Sequence, residues 1–282
     1  MLVTAGLSLA AFGAGTQVRG NDTSGNGNLL DFSDLPEEIA ESGSGWKYAP
    51  IDPIKAADDS YAGFKDGACH YTSFRAIVTN VAQALQATGN PQDALLAKNY
   101  LVFPFYMMVY GQGGLAMYGS LCGAINGCAA AISLFVPNRA DKYAMIQDLN
   151  VYHEKTPLPI YVPKVDHYPG NMPTSVAKSI LCHPTLAQWR KSTKTNFEDA
   201  AHRVDRCNRL TSDTVIRTVR LLNEYHAVQP PRRSANLMPL TAETQSCTQC
   251  HSHAQGRYDI ISRMNCTSCH SQPPTSELCP RK

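Results

Sequence analysis

The chain lacks any run of about 18 uninterrupted apolar residues, the length that a membrane-crossing helix needs, so no stable membrane insertion is expected. It also lacks a charge excess. The formal net charge is +2, which gives no basic footprint for nucleic acid or an anionic membrane surface. Strand-like alternation of apolar and polar residues is missing, and no repeat recurs except one short motif near the C-terminus. Charged residues make up 17% and hydrophobic residues 43%, a globular rather than a disordered composition.

Cysteine, by contrast, is abundant at ten residues. Four of the ten stand in two pentads, Cys247-Thr-Gln-Cys250-His251 and Cys266-Thr-Ser-Cys269-His270. The C-x-x-C-H pattern is the attachment signature of a c-type haem. Two thiols three positions apart add to the two vinyl groups of one porphyrin, and the following imidazole reaches the iron beneath the ring. A zinc ribbon also uses two C-x-x-C pairs, but it needs four thiolates and no histidine after them. Chance would place a histidine after both pairs roughly once in a thousand, which favours haem. Two covalent haem c groups are therefore expected, with His251 and His270 as proximal iron ligands.

Residues 1–20 begin with an uncharged run of small and apolar residues that resembles the apolar core and small-residue end of an export signal, without its basic start. Together with covalent haem this implies an exported, periplasmic protein. Residues 21–54, rich in Gly, Asn, Ser and Asp, read as a flexible N-terminal arm. Residues 55–229 read as a helical, cysteine-containing redox domain, and residues 230–282 as a short, loop-rich dihaem segment after Pro230-Pro231.

Within the domain, Lys55 to Gly67 looks turn-prone. Thr72 or Ser73 caps a helix whose Phe74, Ile77, Val78, Val81 and Leu85 share a face up to Gly89. Pro91 opens a second helix. Leu101 to Tyr110 reads as buried helix. The Gly111–Gly114 turn and Cys122-Gly-Ala-Ile-Asn-Gly127 precede an apolar helix ending at Pro137. Taken alone, such glycines signal close helix packing more often than a cofactor site. Another helix spans Ala140 to Glu154, and prolines keep residues 156–175 extended. Phe197 to His226 is the longest helical region, with a possible restart at Thr211. The fold class is mostly α.

Cys69, the Gly111–Gly114 turn, Cys122-Gly-Ala-x-x-Gly127, Cys182-His183, Arg206-Cys207-x-Arg209-Leu210-Thr211 and the two pentads together resemble the split-Soret cytochrome c family. The resemblance covers roughly residues 55–275. It implies a homodimer, two neighbouring bis-histidine haems per subunit, and an axial ligand that can come from the partner. It also implies an iron–sulfur centre, of 2Fe-2S type, in the N-terminal domain, with Cys69, Cys122, Cys182 and Cys207 as ligands. Cys128 and Cys279 have no family counterpart, and His70 beside Cys69 is atypical. Spacing alone does not distinguish a cluster from disulfides, which are common in exported chains.

Seven histidines remain for distal ligation. His253 lies two residues after His251, so their Cα atoms are at most ~7 Å apart. Ligands on opposite faces of one haem need well over ~10 Å, given Fe–N bonds of ~2 Å and two intervening rings. His253 thus serves the second haem or a partner's haem, not its own. His183 and His226 are the further candidates. Abundant histidine and no recognisable catalytic constellation favour an electron carrier working with other redox proteins as donors and acceptors. The alternative is a haem-dependent small-molecule reductase or peroxidase with one open iron site.

Overall fold

Asp52 starts the first helix. Its carboxylate accepts the amides of Ile54 (2.7 Å) and Lys55 (3.1 Å), and Pro53 occupies the first turn, where a missing N–H costs nothing. The computed structural model describes residues 46–165, 172–194, 199–248 and 263–268, and in these the chain is mostly helical. Helix α1 spans Pro53–Ala87, α2 Pro91–Leu101, α3 Gly123–Phe135, α4 Arg139–Lys155, α5 Cys182–Thr193, α6 Ala200–His226 and α7 Ala242–Thr248. Short 3-10 turns cover Phe105–Gly111 and Cys266–Ser268. Among the described residues, extended pairing is limited to two isolated antiparallel bridges, Leu121 with Leu181 and Leu158 with Ser175.

Helix therefore occupies most of the stretch expected to be turn-prone at 55–67. The break comes at Gly67 (φ −170°, ψ 16°) and Ala68 (φ 60°, ψ −164°), so the second half of α1 starts at Cys69. Thr72 and Ser73 are not caps. The Thr72 hydroxyl donates to the Ser60 carbonyl across the break, and Ser73 donates to the His70 carbonyl. The apolar face expected on this half is buried: Phe74, Ile77, Val78, Val81 and Leu85 all lie in the core. Each such side chain contributes roughly 1.5–3 kcal/mol by leaving water.

The core sits where α1 meets α3 and α6. Helix α6 runs unbroken through Thr211. Thr211, Thr214 and Thr218 donate their hydroxyls to the carbonyls of Cys207, Leu210 and Thr214, which lets polar side chains lie buried on a helix. Beside them Val215, Val219 and Leu222 complete the apolar face.

Two expectations change with the fold. The end of the supposed arm packs onto the domain: Trp46 stacks on Tyr100 at 4.1 Å, and Tyr48 hydrogen-bonds Asn223 at 2.8 Å. Residues 101–110 are not a buried helix. Val102 and Tyr106 are 78% and 74% exposed, around a 3-10 turn that buries Met108 and Gly111. Apolar composition reports a need for cover, and here the described chain does not supply it.

A candidate cysteine-lined metal centre and the haem motifs

The bridge between Leu121 and Leu181 builds the site. The Cys122 amide donates to Ile180 (2.9 Å), and the amides of Cys182 and His183 donate to Ser120 (2.6 Å) and Gly119 (3.0 Å). This pairing holds Cys122, the N-cap of α3, beside Cys182, the first residue of α5. Gly119 permits it: its φ is +76°, and an added Cβ would come within 2.8 Å of the His183 Cβ. Cys69 opens the second half of α1, and Cys207 lies about two turns into α6.

All four thiols face one cavity of about 440 Å³, which Tyr106, Gly113, Met117, Lys65, Arg203 and Arg206 also line. Burial, then the neighbouring Cys122, Cys207 and Cys182, push the Cys69 thiol far above its ordinary pKa, while the Gly113 amide pulls it back. Burial also raises Cys122, opposed by the Ala124 amide and Arg206. Cys182 is pushed up to about 12 by burial, then by Cys122 and Cys207. The uncomplexed Cys69, Cys122 and Cys182 thiols thus stay protonated, and a metal would have to displace those protons to bind. Against this, three of the four thiols sit at helix starts, where amide dipoles favour negative charge.

Gly123 and Gly127 explain the small-residue run after Cys122. A Cβ on Gly123 would collide with the Cys69 sulfur and sit 2.7 Å from the Gly111 carbonyl; one on Gly127 would collide with Ser73 and the His70 carbonyl. Both glycines let α3 pack closely on α1, the first of the two readings weighed from the sequence, and Gly123 leaves room for the Cys69 thiol.

No disulfide joins the cysteines among the described residues. Nor do three His, Cys, Asp or Glu side chains among them converge tightly enough to hold a single metal ion. Cys128 points elsewhere. It is fully buried, its thiol is pushed up to about 12 by burial, and Thr218 and Ser73 hydrogen-bond to it. His70 is buried against the Tyr110 ring at 4.9 Å. His153 is buried, and burial followed by Arg206 lowers its pKa to about 3, so it is neutral. Since Thr185 donates its hydroxyl to Ser179 (3.0 Å), the His153 Nε2 is the donor towards Thr185 at 3.5 Å.

Two cysteines of the pentads are described. Cys247 lies in the last turn of α7 and Cys266 opens the final 3-10 turn. Both are half-buried, and burial and then the adjacent Cys247 thiol raise the Cys266 pKa. Cys250, His251, His253, Cys269, His270 and Cys279 lie outside the described residues. Helix α4 anchors this segment. Asp148, held by Arg217 at 2.6 Å, accepts the Met238 amide (2.6 Å); Glu154 accepts the Asn265 amide (2.9 Å); and Arg263 hydrogen-bonds Gln147. Of the distal candidates, His183 is exposed at the start of α5. His226 stacks on Tyr48 at 4.7 Å and donates Nε2 to the Phe135 carbonyl at 3.1 Å.

Sequence reasoning missed Arg206, although it precedes Cys207 directly. It is 2% exposed, and its Nε and Nη2 are buried without a hydrogen-bond partner among the described residues.

Residues 94–221 match a family described as "Putative redox-active protein (C_GCAxxG_C_C)". Aligned on Ala124 and Gly127, this chain reads C-G-A-x-x-G where the family motif reads G-C-A-x-x-G, so the cysteine stands one position earlier. The chain is 30% identical over 235 residues to a curated split-Soret cytochrome c of Desulfovibrio desulfuricans, covering 80% of this chain and 78% of the relative. It is also similar to the solved structure of the split-Soret cytochrome c from Desulfovibrio desulfuricans ATCC 27774, reported for a novel iron centre. That likeness has a TM-score of 0.69 at 30% identity and covers 82% of this chain and 92% of the other.

Proposed function

The chain belongs to the split-Soret cytochrome c family, and from that premise we propose that it is a periplasmic electron carrier with two covalent, bis-histidine haem c groups. A redox haem protein is what the family comprises, and the two pentads supply the attachment chemistry. The observation that carries the reading is the adjacency of the Cys247 and Cys266 thiols. Cys247, Cys250 and His251 would hold one haem, and Cys266, Cys269 and His270 the other, with two porphyrin edges in one neighbourhood. Bound haem supplies one-electron iron chemistry. The protein's part is to keep the rings close, cover them and fill the distal position, so that electrons pass and small molecules do not bind.

His183, exposed on α5, is better placed for distal ligation than His226, whose Nε2 is committed to Phe135. His253 serves a haem other than its own. The apolar small-residue run at the N-terminus supports the periplasmic assignment.

The cysteine cavity reads as an iron–sulfur site held by Cys69, Cys122, Cys182 and Cys207. Four sulfur donors around a space, rather than three on a point, suit a polynuclear centre better than a lone ion. The iron centre reported for the Desulfovibrio relative supports this. A homodimer is supported by the exposed apolar surface of Val102, Tyr106, Met107, Tyr110, Met117 and Tyr118, of which Tyr106 and Met117 also border the cavity.

Anaerobic purification followed by haem, iron and acid-labile sulfide analysis tests the assignment. Two haems per chain, extra iron with sulfide, and no rapid carbon monoxide binding to the reduced protein are expected. Prompt stoichiometric carbon monoxide binding would favour an open-site enzyme, and iron equal to haem without sulfide would refute the cluster.

A further inference from the structure

Arg206 stands where a buried cation has no business standing alone. The residue is 2% exposed and lines the four-cysteine cavity. Nη1 approaches the Cys207 sulfur at 3.9 Å, while Nε and Nη2 are buried without a partner. One face rests on the Trp189 ring, 5.7 Å from its centroid. Among the described residues no carboxylate pairs with it: the adjacent Asp205 is held by Arg209 at 2.7 Å and by the Tyr61 hydroxyl. The nearby His153 is neutral and buried, so it offers no compensating charge.

A guanidinium does not lose its proton in proteins, so it cannot escape the burial penalty by becoming neutral. A buried charge needs an opposite charge or a full set of hydrogen bonds. The missing charge can come from the cavity, where Nη1 already approaches the Cys207 sulfur. Cys69, Cys122, Cys182 and Cys207 line that cavity together with Arg206. Once metal-bound they are thiolates, and an iron–sulfur centre with four thiolates carries net negative charge. Sulfides and thiolates also accept N–H donors, and Nη1 is the guanidinium nitrogen nearest one, at 3.9 Å from the Cys207 sulfur.

We propose that Arg206 is the buried counter-ion of the cysteine-lined centre, donating hydrogen bonds to its sulfur and raising its reduction potential. This rests on reading the cavity as an iron–sulfur site. Reduction adds negative charge, and a fixed neighbouring cation favours the more negative state. Arg206 is thus a positioning and potential-setting residue, not a ligand.

The experiment compares wild type, Arg206→Met and Arg206→Lys, purified anaerobically with both haems attached. Arg206→Met should shift the centre's potential downwards and lose iron to a chelator about tenfold faster, one pK-sized step. With the centre stripped, the same variant should melt no lower than wild type, because an uncompensated buried charge has gone. Arg206→Lys keeps the charge and should stay near the wild-type potential. If wild type holds no sulfide, the cavity reading falls and takes the proposal with it. If wild type holds the centre and Arg206→Met leaves potential and retention unchanged, only the counter-ion role falls. A Lys variant that behaves like Met overturns charge as the cause. Should Arg206→Met not fold, Arg206→Gln takes its place: a lowered potential with faster iron loss sustains the proposal, and wild-type values overturn it.

Discussion

Glu154 accepts the backbone N–H of Asn265 at 2.9 Å, which ties α4 to the residue preceding the second haem motif. The carboxyl is buried, and burial raises its pKa despite the amide. Replacing it with alanine leaves a buried amide without an acceptor, a loss of about 1–3 kcal/mol. Glu154→Gln keeps an acceptor and should lose far less. Denaturant unfolding of both variants, with haem stoichiometry by mass spectrometry, checks this; equal losses would mean that the bond does not anchor the segment.

Gly123 and Gly127 should respond differently to alanine. Both changes wedge α3 away from α1, and overpacking of this kind costs about 1–3 kcal/mol. Gly123→Ala also drives its methyl into the Cys69 sulfur, whereas Gly127→Ala meets Ser73 and the His70 carbonyl. At matched stability, non-haem iron and sulfide should drop in Gly123→Ala and hold in Gly127→Ala. The reverse pattern would place the sensitive contact elsewhere.

Ala68 carries a positive φ of 60° immediately before Cys69. Alanine is strained there and glycine is not. Ala68→Gly should therefore raise stability by about 1 kcal/mol, against the usual penalty for placing glycine in an ordered segment. A loss of stability in denaturant titration would show that the surrounding contacts outweigh the backbone strain.

Asp213 gives a pH signature. Burial lifts its pKa to about 7, opposed by the Ile160 and Tyr161 amides. The folded protein then holds a proton that the unfolded chain has released from about pH 4 upwards. Stability from this group is present at low pH and is lost as pH rises towards 7. Asp213→Asn cannot ionise, so its melting temperature relative to wild type should be higher at pH 8 than at pH 5. A pH-independent difference would show that Asp213 titrates normally.

The haem motifs were legible because their chemistry is local: five consecutive residues place two thiols and an imidazole on one ring. The four scattered cysteines were legible only through family resemblance. They meet because residues 119–122 pair with 180–183 and because α1 breaks at Gly67–Ala68, and neither feature has a strong local signal. The start of α1 was readable in Asp52 and Pro53 but was masked by the mixed composition that follows. The stretch from Leu101 to Tyr110 misled for a different reason: apolar residues ask for cover without saying which chain provides it. Arg206 was hidden because a sequence does not reveal which arginines are buried.

The two kinds of site differ in when they can be filled. A pentad is complete as soon as its five residues exist, so an unfolded chain already presents everything that haem attachment requires. The cysteine cavity does not exist until residues as far apart as Cys69 and Cys207 have been brought together by α1, α3, α5 and α6. Its occupant must therefore arrive after the helices have packed, or arrive with them and hold them. On the proposed assignment, haem attachment asks only for an extended thread, whereas sulfur-bound iron asks for helices that have packed or that pack around it.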